Sequence, residues 1–246
     1  MPFVLTIDQF SKVYKGGKRA VDGLSLEVSA GDIYGFIGHN GAGKTTTLRA
    51  IAGILDFEEG DIRIDGRSIR EDPVSCKQVM AYIPDNPDLY EHLTGLQYLG
   101  FICDLYSVPR AARQERIAAL AGQLELTDAL GGLIGSYSHG MKQKLAVISA
   151  LVHQPKLLLL DEPFVGLDPK ASFTLKQLMR QLCQQGSAIF FSTHVLDVAE
   201  KLCNKIAIIQ EGRLVASGPI EQVKGQESLE KVFMELMDHE TVVDPA

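Results

Sequence analysis

Leu24, Leu26 and Val28 alternate with polar neighbours, and Ile62 and Ile64 do the same against Arg63 and Asp65. A period of two predicts strands with one buried face. Between them, IYGFIG (Ile33 to Gly38) is a short continuous apolar run, the pattern of a strand buried on both faces. It runs into a Gly-rich turn, and Lys44 to Leu55 then carries few helix breakers before Gly53. Strand, turn and helix are therefore expected in that order. From about Leu93 to His153 the pattern becomes helical, in segments such as AARQERIAALAGQLEL, punctuated by Pro109, Gly131, Gly132 and Gly135. The final third returns to compact apolar runs: LLLLD (Leu157 to Asp161), AIFFS (Ala188 to Ser192) and IAII (Ile206 to Ile209). Helices are expected between them, at about Lys170–Gln185 and Leu196–Leu202. This alternation predicts a mainly parallel, covered sheet with a helical insertion. Near the end, Leu229, Val232, Phe233, Leu236 and Met237 fall at helical spacing and predict a helix packed on the body rather than a membrane anchor.

A chain of 246 residues fits one large α/β domain or a core with an inserted subdomain. With 46% hydrophobic and 22% charged residues it has the balance of a soluble globular protein, which sets disorder aside. The net charge of −7 argues against a general nucleic-acid binder and against electrostatic adhesion to anionic lipid. No apolar run approaches the roughly 18 residues that span a bilayer. The start, MPFVLTIDQF, lacks the basic and apolar regions of a signal peptide. Cys76, Cys103, Cys183 and Cys203 form neither a C-x-x-C pair nor a disulfide-rich spacing, so reduced cytosolic thiols are expected.

The strongest local signal is Gly38-His39-Asn40-Gly41-Ala42-Gly43-Lys44-Thr45, which satisfies G-x-x-x-x-G-K-[ST], the Walker A pattern. Glycines let backbone N–H groups approach phosphate oxygens without Cβ interference, and the following helix aims its positive end at the same anion. Lys44 is expected to reach the β/γ-phosphates and Thr45 to offer its hydroxyl to Mg²⁺. A random chain of this length meets the pattern on the order of 1% of the time, and its place between a buried strand and a helix lowers that further. The second signal is LLLLDEP. Asp161 ends an apolar strand, at the sheet edge where switch-point ligands sit, and is a candidate Mg²⁺ support. Glu162 follows it and is placed to polarise an attacking water. Taken alone, the pair fits equally well a helix N-cap followed by an acidic first turn.

Two further segments set the class. Ser136-Tyr-Ser-His-Gly-Met-Lys-Gln143 precedes an apolar helix, and Ser192-Thr-His194 follows the AIFF run. An aromatic near the start, the phosphate loop, a Pro-containing loop, this segment, LLLLDEP, GLDP and a late histidine stand in one order. In that order the chain resembles the nucleotide-binding subunit of an ABC transporter over nearly its whole length. The resemblance implies a P-loop NTPase: a RecA-like α/β core with an N-terminal antiparallel β portion and an inserted α-helical subdomain. One domain over 1–246 would then comprise a core (1–87 and 154–222), a helical signature subdomain (88–153) and a C-terminal helix and tail (223–246).

By that resemblance Tyr14, in KVYKGG, stacks on adenine, Gly38 to Thr46 hold the phosphates, and Glu162 and His194 serve catalysis. YSHGMKQK matches the signature, with Ser138 and Gly140 retained, and this segment, Met141 included, grips the ATP bound in an opposite subunit. His139 and Met141 stand where the consensus has Gly and Gln. GLDP (Gly166 to Pro169) resembles the loop that communicates between the two sites, with Asp168 as its polar member. After AYIP the family carries Gln, but Asp85 occupies that place, either as a Mg²⁺ ligand or as a turn former in Pro84-Asp-Asn-Pro87. PDLYEHLTGLQYL, GMKQK and DEPFVGLDP resemble the bacterial Ecs-type branch of export ATPases. The implied cofactors are ATP and Mg²⁺. The implied partners are a transmembrane permease subunit and a second copy or homologous ATPase, with no nucleic acid, at the cytoplasmic face of the membrane.

Two other classes share the phosphate loop. A soluble ABC ATPase of translation or DNA repair usually adds a second cassette or a long coiled coil. A switch GTPase wants Asn-Lys-x-Asp, and the nearest string, Asn204-Lys205-Ile206-Ala207, lacks the Asp.

Overall fold

The computed structural model describes residues 3–238, so the end of the expected C-terminal tail lies outside the described residues. The chain opens with two long strands, β1 (Phe3–Val13) and β2 (Arg19–Ser29), paired antiparallel. Leu24, Leu26 and Val28 all point inward, as their alternation requires. The buried run Ile33–Ile37 forms β3, and α1 (Lys44–Ile51) follows the turn after it. This helix stops short of the expected Leu55, because the chain turns at Gly53, whose φ is +62°. Next come β4 (Glu59–Ile64), the short β5 (Arg67–Ser68), α2 (Pro73–Gln78) and β6 (Met80–Ile83). Strands β2, β1, β4 and β5 make one antiparallel sheet in that order.

The middle of the chain is helical: α3 (Gly95–Leu105), α4 (Arg110–Gln123) and α5 (His139–Leu151). Thr94 and Gln97 form a reciprocal capping box at the start of α3. Leu99, Cys103, Ile117, Ala121, Leu145 and Ile148 share the buried side of these three helices. The last third alternates β7 (Leu157–Asp161), α6 (Pro169–Gln184), β8 (Ala188–Thr193), α7 (Leu196–Leu202), β9 (Lys205–Gln210), β10 (Arg213–Pro219), α8 (Ile220–Lys224) and α9 (Leu229–Asp238). The second sheet has the order β10-β9-β3-β8-β7-β6, parallel except for the antiparallel edge strand β10.

The continuous apolar runs are explained by what covers each face. Leu157 and Leu159 of β7, with Phe36 and Phe190, pack toward α1 and the antiparallel sheet. Leu158 and Leu160, with Ile37, Ile189 and Phe191, pack toward α5, α6 and α7. Every residue of β3, β7 and β8 is buried, so neither face tolerates the polar alternation of a half-exposed strand. Full burial of each Leu contributes about 1.5–3 kcal/mol. The two sheets join where Arg213 meets Asp22 at 2.8 Å and the Asp22 amide donates to the Gly212 carbonyl at 2.9 Å.

Candidate nucleotide-binding site

The register of the parallel sheet assembles the site. Phe36 of β3 pairs with Ser192 of β8, and Ser192 pairs with Asp161 of β7. The carboxyl ends of three strands therefore reach one edge, where ligands of open α/β sheets bind. From this edge β3 feeds the turn Gly38–Gly43. A Cβ on Gly38 would lie 2.5 Å from the Ile209 carbonyl, and one on Gly43 would lie 2.5 Å from the Ala20 carbonyl. Gly43 also holds φ +108°. Both glycines are thus demanded by the protein's own backbone, before any ligand is considered.

Gly43 is the N-cap of α1 and provides no side-chain cap, whereas α2, α3, α5 and α6 are capped by Asp72, Thr94, Ser138 and Asp168. The first amides of α1 keep their free donors and the positive end of the helix for a ligand. They open onto a cleft of about 450 Å³ lined by Tyr14, Lys18, Ala20, Asn40, Gly41, Gly43, Lys44, Thr45, Thr46, Asp85, Asp161 and Glu162. Tyr14 follows β1 and is 39% exposed, so it borders the cleft instead of packing in the core. Its hydroxyl stands 3.2 Å from Thr46 Oγ1.

Lys44 is buried, and its ammonium donates to the carbonyls of Gly38 at 2.6 Å and His39 at 3.1 Å. Burial pushes it below the usual lysine range, while the carboxylates of Glu162 and Asp161 pull it back up. Glu162 Oε1 lies 3.7 Å from Lys44 Nζ and 2.9 Å from His194 Nδ1. Glu162 adopts φ +47°, an uncommon conformation for a residue with a Cβ and one that concentrates at functional sites. The helix-cap alternative for Asp161 and Glu162 is excluded, since the next helix begins only at Pro169 and is capped by Asp168.

Asp161 is buried at 2% exposure; Oδ1 accepts from Ser192 Oγ at 2.5 Å, and Oδ2 is buried without a partner. Ser192 Oγ also accepts from the Glu162 amide at 3.1 Å, so this one hydroxyl holds both acidic residues. In the sequence Ser192 stands only as the start of the Ser-Thr-His segment, with no local signal of this role. The lining residue Lys18 was not singled out at all.

Other expected site residues lie elsewhere on this chain. The His39 ring is turned out of the cleft, against Phe233 of α9. Ala42 is buried beneath the loop. Ser138 caps α5 by accepting from the Met141 amide at 3.3 Å, and neither it, Gly140 nor Met141 lines the cleft. Asp168 caps α6 by accepting from the Ala171 amide at 2.8 Å, with Lys144 Nζ 3.7 Å away. These bonds hold its carboxyl below the usual carboxylate range.

Residues 21–165 match the family model described as ABC transporter. The chain is 33% identical to the ABC-type transporter ATP-binding protein EcsA of Bacillus subtilis, over 87% of this chain and 88% of that one. A solved ATP binding subunit of an ABC transporter superposes with TM-score 0.91 at 32% identity, covering 95% of this chain and 99% of that one. A dimeric ATP-binding cassette bound to ADP and Pi, 22% identical, shares the fold with TM-score 0.79, over 88% and 98% of the two chains. An open helix N-terminus over a Walker A turn, a buried strand-end Asp and a Glu between lysine and histidine thus stand in a chain that belongs to the ABC transporter family, as one of its ATP-binding ATPase subunits.

Proposed function

We propose that this ATPase subunit works as a pair, each cleft being completed by the signature of the other copy, and that the pair drives a separate transmembrane permease, as an exporter. The observation that carries the catalytic reading is Glu162, whose carboxylate stands between Lys44 and His194 at the mouth of an uncapped helix.

In this reading the α1 amides and Lys44 hold the β/γ-phosphates, and Tyr14 supports the base. Glu162 orients water and accepts its proton, with His194 fixing the carboxylate. Nucleotide phosphates give Lys44 stronger partners than the two loop carbonyls it now engages, so the ammonium swings from loop to ligand. The residues present fit Mg²⁺: Asp161 Oδ2 is buried and unpartnered, and Thr45 and Asp85 line the same cleft. Among the described residues no three His, Cys, Asp or Glu side chains gather as a metal cage. That suits a cation held by one or two carboxylates, a hydroxyl and the ligand's own phosphates. When bound, Mg²⁺ neutralises phosphate charge.

Pairing is supported by Ser138, exposed at the N-terminus of α5 and outside its own cleft, and by the dimeric state of the cassette with the same fold. A permease contact is supported by a groove of about 440 Å³ beside the Asp85 loop, between Ile54, Tyr82, Pro87, Leu89 and Tyr98. Around it Ile54, Tyr90 and Phe101 leave large apolar surface exposed. Among the described residues no helix is long and apolar enough to cross a membrane, so membrane attachment is assigned to the permease. Export rests on the resemblance to the Ecs-type branch. Coexpression with a candidate permease tests the reading. The chain should sediment with membranes only when the permease is present, and equal distribution with and without it would overturn the assignment.

A further inference from the structure

Phe233 on α9 packs its ring against the imidazole of His39, the second residue of the phosphate loop, with centroids 5.0 Å apart and planes at 63°. Phe233 is only 5% exposed and is the buried partner in this edge-on contact. The same helix has a second anchor. The Leu229 amide donates to Glu200 Oε2 at 3.1 Å, and Lys224 Nζ holds Glu200 Oε1 at 3.4 Å. Glu200 lies on α7, which begins two residues after His194. At the other end, the His39 carbonyl is one of the two main-chain carbonyls that hold Lys44 Nζ. One short C-terminal helix is therefore tied both to the helix behind His194 and to the residue whose main chain holds Lys44.

We propose that Phe233 is a positioning residue for nucleotide binding: α9, anchored to α7 through Glu200, holds His39 and with it the first half of the phosphate loop in the shape that receives phosphate. The Ala42 amide donates to the His39 carbonyl at 3.1 Å and closes the turn from within, and Phe233 adds the contact that ties it to α9. Gly41 holds φ +86° with open space around it, and the His39 side chain itself is exposed. An aromatic contact at this point restricts the main chain before the ligand arrives, which reduces the ordering cost of binding. The inference rests on the assignment of Gly38–Thr45 as the phosphate loop.

The test uses the full chain, with ATP affinity read by displacement of a fluorescent ATP analogue and turnover measured in parallel. Phe233→Ala and His39→Ala should each weaken ATP binding about threefold to tenfold, the range an edge-on aromatic pair supports. The double variant should be no weaker than the weaker single, KM should rise more than kcat falls, and His39→Phe should restore affinity. Multiplying effects in the double variant, or a lowered Tm with unchanged ATP affinity, would overturn the proposal. Glu200→Ala loosens the same helix without touching the ring pair and should move affinity in the same direction; unchanged affinity there also overturns it. Lys44→Ala is the separate arm. If that variant binds ATP normally, the phosphate-loop assignment fails by itself, whatever α9 does.

Discussion

Ser192 Oγ stands 2.5 Å from Asp161 Oδ1, and the same hydroxyl accepts the Glu162 amide at 3.1 Å. A fully buried serine thus fixes the carboxylate assigned to the metal and the main chain of the carboxylate assigned to water. Ser192→Ala leaves a buried oxygen and a backbone amide unpaired, which should cost about 1–3 kcal/mol of stability. Turnover should fall, and the Mg²⁺ concentration giving half-maximal rate should rise as Asp161 loses its orientation. Thermal melting and a Mg²⁺ titration of ATPase activity check both parts.

Glu162→Gln keeps the shape of the side chain and removes its charge. Hydrolysis should drop about a hundredfold or more, the usual contribution of a positioned base. ATP binding should persist, because the α1 amides and Lys44 are untouched. With excess ATP and Mg²⁺ the variant should accumulate as a species of twice the mass by light scattering. Near-normal turnover would sink the assignment of Glu162 as the base.

Asp85 shares the cleft with Thr45 and Asp161, in a place where the family carries Gln. Asp85→Asn preserves turn-forming capacity and removes the anionic oxygen. If the carboxylate approaches the cation, the half-saturating Mg²⁺ concentration for ATPase activity should rise severalfold. An unchanged value would leave Asp85 with the turn alone.

His153 stacks on Tyr106 with centroids 3.7 Å apart, and its Nε2 lies 3.3 Å from the Met80 carbonyl. Burial holds the imidazole below the ordinary histidine value of 6.5. As pH falls through that ordinary value, the unfolded chain takes up the proton before the folded one does. Stability is therefore full above it and is lost progressively below it, toward the lowered native value. His153→Phe keeps the stacked ring and removes the titration, so its Tm should fall less between pH 7.5 and 5.5 than that of the parent. Equal slopes would show that His153 contributes nothing to acid sensitivity.

Much of this protein was legible in its sequence because the relevant forces are local. The run LLLLD reads as a strand buried on both faces, and it is one. The Walker A glycines announce a turn between β3 and α1, and Gly43 there holds φ +108°, a local conformation that disfavours any side chain; the 2.5 Å approaches to the Ile209 and Ala20 carbonyls come only with the tertiary fold. The stripe from Leu229 to Met237 foretold a packed helix, and Leu229 and Phe233 are buried. Boundaries were less legible: Gly53 stands in the sequence as a breaker, yet that α1 already ends at Ile51, two residues before it, is set by the turn geometry.

What the sequence could not decide depends on strand order and on packing between distant segments. Ser192 acquires its partners only because β8 lies between β3 and β7, a register with no trace in the AIFFS run itself. His39 reads as one more residue of a phosphate loop, and only the docking of α9 turns its ring toward Phe233. Asp161-Glu162 taken alone fits a helix cap as well as a catalytic pair; the phosphate loop in the same chain favours the second reading, and the fold removes the first by running through a turn to Pro169, where Asp168 takes the cap. Local pattern selects which residues are buried and which backbone angles are allowed. Which side chains then meet is set by long-range contacts, whose geometry exists only once the sheet has closed its order.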